Sequence, residues 1–550
     1  MPRADTASGS LSLESRARAL QDLQTTEIDL LVVGGGITGA GTALDAATRG
    51  LNVALLEQGD LASGTSSKSS KMIHGGLRYL EQLRFGLVQE ALAERELLAT
   101  VIAPHLVRPI PFLVPINGWI ERFYYGAGVW LYDWLARKGS FPKARHLSRE
   151  EVARIACSLR TNRHSGAIQF WDAQEDDARY VVETARTAAA HGARICTYFR
   201  VENLLRNRGR VIGAICRDLE SDEPFTVRAR HVICATGASS QQLTHHKPPY
   251  PRIRPSKGVH ILLRRDRLEL QAGLIGRTST GLLFIIPWGD HWLVGDTDTD
   301  WDDRECSPVA DSVDIGILLD RLNAVLTADI RRRDIVSTFA GLRPLAATRP
   351  GGDSKSTSRS HVVTSPEPGL TEIFGGKYTT YRLMAEAVVD RALLDLPARL
   401  RRPSCTRTIQ LIGADRLIEM KTALPGLAVS TGLPLETLER LLSKYGSRMS
   451  EVLDLHDPEH AVEAGKTLLE AEILQACRHE GALHPGDILD RRTRLSLTSP
   501  ETLTALTERV SRILAKELNW TDSRRLSERD AYLHNWHQSQ CALSAASGKG

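Results

Sequence analysis

The sequence predicts an α/β protein, α+β overall, with a parallel-sheet domain, an interleaved antiparallel-sheet domain and a C-terminal helical domain. A glycine-rich turn between two apolar runs near the start of the chain indicates the parallel sheet. Later strand patterns indicate the second sheet, and apolar residues at helical spacing indicate the third unit. We expect residues 1–25, rich in Ser, Ala and Arg, and residues 541–550 to be disordered.

Composition limits the class of protein. The chain has 550 residues, 42% of them hydrophobic and 25% charged, as in globular proteins of several domains. The net charge of +4 argues against a nucleic-acid-binding protein. The 8 cysteines are scattered singly, which indicates no zinc site or disulfide framework and fits a reducing compartment. We expect no signal peptide or spanning helix, so any membrane contact is expected to be peripheral.

The first ordered unit is a β–α–β motif. The run IDLLVV at residues 28–33 is continuously apolar, as in a strand buried on both faces, and the next strand, NVALLE, ends at Glu57. Between them, Gly34, Gly36 and Gly39 form the pattern GxGxxG. These glycines allow a tight turn, the approach of a pyrophosphate and close packing of helix on sheet, and Glu57 can accept from ribose hydroxyls. The motif predicts a Rossmann-like dinucleotide-binding domain; an ordinary glycine-rich turn is the alternative.

A distant strand indicates which dinucleotide is bound. The apolar run HVICATG ends with Ala235, Thr236 and Gly237. Such a strand commonly returns to the dinucleotide in flavoproteins, and the long insertion before it favours FAD over NAD.

The segment TSSKSSKMIHGGLRYL, residues 65–80, follows shortly after the glycine motif. Its serines offer hydroxyls and amides to phosphates or a flavin, and its two glycines allow close approach to a flat ring. Arg78 and Tyr79 follow just beyond. A solvated loop leading into an amphipathic helix is the alternative.

Several strings then occur in order: GGGITGAG, TSSKSSKMIHGGLRYLEQ, DDAR, ATG, SKGVH, IPWGDHWLVGDTDTD, AGLRPL, FGGKYTTYR and, in the helical region, EGALHPGDILDRRTRLSL. In these strings the chain resembles the FAD-dependent glycerol-3-phosphate dehydrogenase family, the respiratory, quinone-linked enzymes. The resemblance covers about residues 28–383 and resumes at residues 480–497.

The patterns and the resemblance together predict the domain boundaries. We expect a FAD-binding domain over residues 26–395, interleaved with a substrate domain, and a helical cap domain over residues 396–540. The FAD-binding parts are mainly 26–110, 165–245 and 335–395, and the substrate-domain parts are mainly 111–164 and 246–334.

The chain departs from the family pattern at three points. Asp296 stands in a GDTD string where the family usually has GTTD, and Ser239 stands where a tryptophan usually follows ATG. The string FWDAQE precedes DDAR in place of a tyrosine-rich version. These departures leave the expected FAD-binding and basic residues in place and affect the shape of the substrate pocket.

Oxidation of glycerol 3-phosphate requires a hydride to leave C2, the C2 hydroxyl to lose its proton, and the phosphate to be held in place. The resemblance implies Arg78 and Arg343 as anchors, with Tyr79 assisting, because a guanidinium can donate two hydrogen bonds to one phosphate. A surface role is the alternative for either arginine.

Two histidines and a lysine complete the predicted chemistry. His260 and His74 are the candidate bases, and the strand alternation of GVHILLR favours His260 over His74. A structural, hydrogen-bonding role is the alternative. Lys377 is expected beside the flavin or the substrate oxygen, where a cation stabilises developing negative charge.

The predicted site residues divide by role. The catalytic residues are His260, Arg343 and Lys377, and the substrate-binding residues are His74, Arg78, Tyr79 and Arg343. The residues expected to contact FAD are Gly34, Gly36, Ile37, Thr38, Gly39, Glu57, Gln58, Thr65, Ser66, Ser67, Ser70, Lys71, His74, Gly75, Val201, Ala235, Gly237, Gly376 and Lys377.

The resemblance also implies partners and location: glycerol 3-phosphate, a membrane quinone, a homodimer, and peripheral attachment to the cytoplasmic face of the inner membrane. The aromatic segment at residues 116–139 suits a membrane interface, and a buried core or dimer contact is the alternative. Basic groups at Arg331–Arg333, Arg399–Arg402 and Arg491–Arg494 could attract anionic lipid or form solvated faces.

Three other functions compete with this reading. An oxidase would pass the electrons to oxygen. A flavin-bound sensor or interaction protein would turn over slowly. An oxidoreductase for another hydroxy acid or an amine would need fewer cations than two phosphate-anchoring arginines supply.

Overall fold

The computed structural model of the protein describes residues 9–76, 84–135, 139–160, 164–239, 243, 252–301, 308–347, 361–457 and 468–544.

The strands of these residues form two sheets. In chain order they are β1 (Ile28–Val33), β2 (Val53–Leu56), β3 (Met72–Ile73), β4 (Arg108–Ile116), β5 (Arg145–Ser148), β6 (Gly166–Gln174), β7 (Arg194–Cys196), β8 (Phe199–Asn207), β9 (Arg210–Asp218), β10 (Pro224–Cys234), β11 (Arg252–Arg264), β12 (Gly273–Thr278), β13 (Gly281–Trp288), β14 (His291–Gly295), β15 (Thr299–Asp300), β16 (Ile335–Ala347), β17 (His361–Thr364) and β18 (Leu370–Gly375).

The α-helices of the same residues flank the sheets and build the C-terminal region. They are α1 (Leu13–Thr25), α2 (Ile37–Thr48), α3 (Phe85–Leu97), α4 (Gly118–Leu135), α5 (Arg149–Ile155), α6 (Asp177–Ala190), α7 (Ser312–Val325), α8 (Tyr381–Leu393), α9 (Leu417–Thr431), α10 (Leu435–Tyr445), α11 (Met449–Asp454), α12 (Glu470–His479), α13 (Leu495–Thr498), α14 (Leu503–Glu517), α15 (Asp522–Ser539) and α16 (Cys541–Ser544).

The first sheet has the strand order β17-β18-β10-β1-β2-β7, and β8 and β9 extend from β10 as an antiparallel meander. The pairs β18–β10, β10–β1, β1–β2 and β2–β7 are parallel. Leu30 and Val32 of β1 pack into the core that α2, α6 and α8 share, whereas Leu31 and Val33 pack against the meander and α1. Burial on both faces explains why the strand is continuously apolar.

The second sheet has the strand order β15-β11-β14-β13-β12-β4-β6-β3, with β16 paired to β11 and β5 paired to β6. Its long antiparallel pair is β11–β16, in which His260 lies opposite Phe339 and Ser256 lies opposite Arg343. The predicted α/β architecture with a second sheet and a helical C-terminal domain is confirmed, although the second sheet is mixed, because β12 pairs with β4 in parallel. The strands β6 and β16, assigned to FAD-binding segments from the sequence, pair within this second sheet instead.

The two predicted disordered ends are wrong where the structure describes them. Residues 13–25 form α1, which Ser12 caps and which buries Leu23. Arg16 fixes this helix to the meander through Asp218, with Nη2 2.7 Å from Oδ1. At the other end, residues 541–544 form α16, where Ala542 is buried and its carbonyl accepts a 2.5 Å hydrogen bond from Arg332.

Buried ion pairs join the C-terminal helices to the first sheet. Arg492 donates to both carboxylate oxygens of Asp60, at 2.7 and 2.8 Å, and Arg491 donates to Asp60 and to Asp487. The side chain of Asp60 is fully buried. The idea that Arg491–Arg494 attracts lipid is therefore wrong, because Arg491, Arg492 and Arg494 are buried in carboxylate pairs.

Replacing Asp60 by asparagine is expected to destabilise the protein by about 3–5 kcal/mol, because it leaves buried guanidinium charge uncompensated. Burial opposes ionisation of Asp60, but Arg492 and Arg491 outweigh it and lower the pKa of that carboxyl. A lowered folded-state pKa stabilises above the unfolded pKa of about 3.9, and the contribution is lost as the pH falls through the folded value.

Urea unfolding at neutral pH measures this effect. Asp530→Asn is the matched control, because it removes the same charge from an exposed pair with Arg529 and should change stability by less than about 1 kcal/mol. Equal shifts for the two variants would contradict the linking role of Asp60.

Candidate active site

The turn between β1 and α2 shows why three glycines are needed. Gly34 has a φ of 110°, and a Cβ there would lie 2.6 Å from the carbonyl oxygen of Ala235. A Cβ on Gly39 would lie 1.8 Å from the carbonyl oxygen of Gly34. At Gly36, by contrast, a Cβ would meet only Ser66, with Oγ at 3.0 Å. The first and third glycines thus permit the turn and its packing, and the second borders open space.

The groups around this space fit the dinucleotide part of FAD. The N–H of Ile37, at the start of α2, donates to Ser66 Oγ at 3.0 Å, and the N-cap residue is a glycine without a capping side chain. The helix dipole and its first amides therefore favour an anion here. At the end of β2, the carboxylate of Glu57 accepts from the N–H groups of Gly35 and Gly59, at 2.5 and 2.8 Å. Burial raises the pKa of Glu57, and these two donors partly offset that effect.

Other predicted FAD contacts surround the same turn. Ala235 donates its N–H to Val33 at 2.8 Å and so lies beside the glycine turn. A Cβ on Gly237 would meet no heavy atom within 4 Å. Thr38 lies in the first turn of α2, Gln58 is exposed next to Glu57, and Val201 lies in β8, whose first N–H, on Phe199, donates to the carbonyl of Glu57 at 2.8 Å. Their contacts with FAD remain predictions.

The segment that follows β2 runs from the first sheet to the second. Thr65 Oγ1 donates to the carbonyl of Leu342 in β16 at 2.6 Å. Ser70 Oγ lies 2.9 Å from Nε2 of His260 in β11. The segment therefore connects the glycine turn to the strands that carry the predicted catalytic side chains.

The side chain of Lys71 holds this segment in place. Its fully buried ammonium donates to Asp177 Oδ1 at 2.8 Å and to the carbonyl of Ser67 at 3.1 Å. It also lies 5.2 Å from the ring centroid of Phe339 and 5.3 Å from that of Trp288. Burial lowers the pKa of Lys71, and Asp177 opposes that shift. The observed role of this ammonium is to hold the segment, and its contact with FAD remains a prediction.

His260 is held as a neutral ring on one face of β11. Its two neighbours in the strand point into the apolar core, and the imidazole stacks on Phe339 with ring centroids 4.9 Å apart. Burial lowers the pKa of His260 to about 4, an effect that Asp296 partly offsets. Within the described residues its buried Nδ1 has no hydrogen-bond partner, while Nε2 is engaged by Ser70.

Arg343 extends from the neighbouring strand β16 over the same face of β11, at Gly258, two residues before His260. A Cβ on Gly258 would come within 2.3 Å of Arg343 Nη2, so the guanidinium crosses β11 at that glycine. Because alternate residues share a face, Gly258 and His260 point the same way. The predicted base and the predicted anchor are therefore neighbours.

Most donors of Arg343 are already engaged. Nη2 donates to the carboxylate of Asp296 and, at 2.9 Å, to the carbonyl of Thr297. Nη1 lies 3.4 Å from Ser256 Oγ and 3.7 Å from Asp298 Oδ1. Ser256 and Asp298 were not among the predicted site residues, although both belong to this cluster.

Thr379 joins the backbone of His74 to the segment that follows β18. The His74 N–H donates to Thr379 Oγ1 at 3.1 Å, and Thr379 Oγ1 donates back to the His74 carbonyl at 3.3 Å. Lys377 lies two residues earlier, after β18, and Gly376 beside it has a φ of 80°. The predicted substrate residues Arg78 and Tyr79 lie outside the described residues, so their roles stay predictions.

Asp177 and Arg494 form a supporting pair that sequence reasoning missed. Arg494 donates to Asp177 and to Asp176, the latter at 2.8 Å, and to the carbonyl of Ser67 at 3.2 Å. Asp177 and Arg494 are 317 positions apart, and no local pattern connects them. The DDAR string pointed to Asp177 only through the family resemblance.

Comparison with known proteins identifies the family. The family model for FAD dependent oxidoreductases matches residues 29–382, and that for the C-terminal domain of alpha-glycerophosphate oxidase matches residues 404–525. Glycerol-3-phosphate dehydrogenase 2 of Mycobacterium tuberculosis is 44% identical over 92% of this chain and 87% of its own length. The mitochondrial glycerol-3-phosphate dehydrogenase of Homo sapiens is 35% identical over 92% of this chain and 73% of its own.

A solved structure shows the same architecture. The glycerol-3-phosphate dehydrogenase of Bacillus halodurans, complexed with FAD, superposes with a TM-score of 0.80 at 27% identity, covering 96% of this chain and 98% of that one. The expected family and the expected cofactor, FAD, are thereby confirmed. The chain belongs to the FAD-dependent glycerol-3-phosphate dehydrogenase family.

Proposed function

We propose that the protein oxidises sn-glycerol 3-phosphate to dihydroxyacetone phosphate and passes the electrons to a quinone at a membrane surface. The coarser part, FAD-dependent glycerol-3-phosphate dehydrogenase activity, is supported by the relatives. For the chemistry, the main observation is that the guanidinium of Arg343, which extends from β16, and the imidazole of His260 in β11 lie on the same face of this strand pair, next to the segment that follows β2.

Each of the predicted catalytic side chains has a distinct task. Bound FAD supplies the acceptor for the hydride that leaves C2. The neutral imidazole of His260 takes the proton of the C2 hydroxyl, and Ser70 fixes the orientation of the ring. Arg343 offers a guanidinium to the phosphate, and Lys377 stabilises negative charge that develops on the C2 oxygen.

Helix α4 supports the membrane part of the proposal. Its inward residue Tyr132 is buried and donates to Asp172 at 2.8 Å, while its hydroxyl accepts from the Gly75 N–H at 3.0 Å. Its outward aromatic side chains, defined here as the aromatic face, are largely exposed: Trp119 (79%), Phe123 (77%), Trp130 (68%) and Trp134 (64%). One helix thus contacts the predicted active-site segment on one side and presents a large apolar surface on the other.

This face suits the interfacial region of a bilayer. Aromatic rings favour the boundary between headgroups and acyl chains, where a quinone is also reached. In the described part of the chain no helix combines the length and the apolar character needed to cross a bilayer. Peripheral attachment through the aromatic face is therefore the mode that we propose. The implied homodimer is proposed to form through another surface.

Replacing Trp119, Phe123, Trp130 and Trp134 by serine should weaken binding to anionic vesicles by at least about tenfold, because apolar contact area is lost. Flotation with vesicles measures the binding. Reduction of a soluble dye by glycerol 3-phosphate should persist, whereas reduction of vesicle-borne quinone should fall.

The control removes apolar surface elsewhere. Ile418→Ser with Val429→Ser changes two exposed residues of α9 (85% and 88% exposed) and should leave vesicle binding intact. If the serine variant of the aromatic face still floats with vesicles but changes from dimer to monomer in sedimentation, that face is a subunit contact and the membrane proposal is wrong.

An oxidase reaction is the alternative. The L-alpha-glycerophosphate oxidase of Mycoplasma pneumoniae is 18% identical to this chain with a TM-score of 0.54, which shows a shared fold only. Peroxide release in air, without quinone and at the full rate of turnover, would favour the oxidase.

A further inference from the structure

We propose that Asp296 is a specificity-determining residue that competes with the substrate phosphate for Arg343. The inference rests on the proposed role of Arg343 as an anchor and adds a counter-charge to it. In this chain the carboxylate of Asp296 already binds the guanidinium of Arg343. An incoming phosphate dianion must displace that carboxylate.

The first support is the geometry of the guanidinium. Both N–H groups of Arg343 Nη2 have acceptors, the carboxylate of Asp296 and the carbonyl of Thr297. A phosphate that engages the guanidinium through two parallel bonds needs this edge. The contact with Asp296 is therefore incompatible with two-pronged phosphate binding at Nη2.

The second support is the balance of charge. The carboxylates of Asp296 and Asp298 both lie beside the guanidinium of Arg343. Burial lowers the pKa of the adjacent His260 to about 4, which keeps that ring neutral. A dianion entering this cluster meets two negative charges before it reaches Arg343. The cluster becomes favourable for phosphate only when one carboxylate moves away.

The third support shows which carboxylate moves. Asp298 accepts from the hydroxyl of the fully buried Ser256, which fixes it to β11. The side chain of Asp296 is more exposed, at 32% against 22% for Asp298. Asp296 can therefore turn toward solvent.

The consequence is selection by charge. A phosphate dianion can displace Asp296 and recover a charged interaction, whereas a neutral polyol cannot. Asp296 thus raises the concentration of phosphorylated substrate that the enzyme needs and disfavours ligands too weakly charged to open the ion pair.

The test uses the full-length, FAD-loaded protein and the variants Asp296→Asn and Asp296→Thr. Each should lower KM for glycerol 3-phosphate, and the inhibition constant of inorganic phosphate, by roughly three- to thirtyfold with kcat changed less than about twofold. Asp300→Asn is the matched control, because it removes the same charge four residues later from a pair with Arg254. It should leave both constants nearly unchanged.

A double variant ties the effect to the contact. In an Arg343→Ala background, Asp296→Asn should no longer tighten phosphate, since its competitor is gone. Continued tightening there would overturn the proposal, as would unchanged constants in the single variants.

Two outcomes separate this inference from the proposed function. If Arg343→Ala raises KM strongly while Asp296→Asn changes nothing, the anchor stands and the competition is wrong. If Arg343→Ala itself has no effect, the proposed anchoring role of Arg343 is wrong, and the competition with Asp296 has no basis. A fall in kcat with constant KM in Asp296→Asn would assign the carboxylate to proton transfer and also contradict the competition.

Discussion

Replacing Arg343 by alanine is expected to lower kcat/KM for glycerol 3-phosphate by roughly thirtyfold to several thousandfold. The estimate follows from the loss of one partner in a desolvated charged hydrogen bond, about 2–5 kcal/mol, at about 1.4 kcal/mol per tenfold. The guanidinium is only 21% exposed and lies beside His260, where the reacting carbon is proposed to bind. FAD content should stay normal, and unphosphorylated glycerol should become a relatively less poor substrate.

Arg343→Lys separates charge from geometry. It keeps the positive charge but loses the planar fork, so an intermediate loss is expected. Arg254→Ala is the control, because Arg254 lies in β11, the strand paired with β16, and forms an ion pair with the exposed Asp300. Steady-state kinetics with a soluble dye measures all three variants. Near-normal efficiency of Arg343→Ala would transfer the anchoring role to Arg78 alone.

Replacing Gly36 by valine should yield a folded protein without FAD. A Cβ at Gly36 meets only the Ser66 side chain, so the fold tolerates it, but branched methyl groups would extend toward the space where the pyrophosphate must approach. The purified variant should be colourless, with a circular dichroism spectrum close to that of the parent.

Two glycine controls sharpen this test. Gly39→Ala places a Cβ 1.8 Å from the Gly34 carbonyl oxygen, so it should damage the fold itself. Gly316→Val, in α7, adds a Cβ that meets no heavy atom within 4 Å, so this variant should keep both its fold and its FAD. A yellow, fully loaded Gly36→Val protein would show that this turn does not hold the dinucleotide.

Sequence patterns predicted the strands and helices whose burial depends on residues close to them in the chain. The run IDLLVV indicated β1 because both of its faces are buried, and the glycine spacing indicated α2 because close packing leaves no room for a Cβ. The helical spacing of apolar residues indicated α10, α12 and α14. Where burial follows from neighbouring residues, periodicity is enough.

The errors arose where distant contacts decide the structure. Helix α1 lies within residues 1–25, which are rich in Ser, Ala and Arg, so composition indicated disorder. Yet Arg16 fixes the helix to Asp218, and Leu23 is buried. Basic residues near the end of the chain resembled a solvated or lipid-facing group, but Arg492 and Arg494 are buried against Asp60 and Asp177. No local pattern contains such pairings.

The candidate site likewise contains residues that the sequence predicted and contacts that it did not. Gly34, Gly36 and Glu57 were predicted from spacing, since their roles follow from the turn itself. His260 and Arg343 were predicted separately, but their shared face depends on the pairing of β11 with β16. The ion pair of Arg343 with Asp296 could not be predicted, although the departure at Asp296 marked the position.

The most direct test of the central claim is anaerobic double-mixing stopped flow that follows the oxidised flavin absorbance of the intact protein. Glycerol 3-phosphate should bleach the absorbance, and a second mixing with quinone-loaded vesicles should restore it faster than air-saturated buffer does. If FAD is bound but glycerol 3-phosphate fails to bleach it, the protein does not catalyse the proposed oxidation. If bleaching occurs but only oxygen restores the colour, with stoichiometric peroxide, the quinone assignment is contradicted.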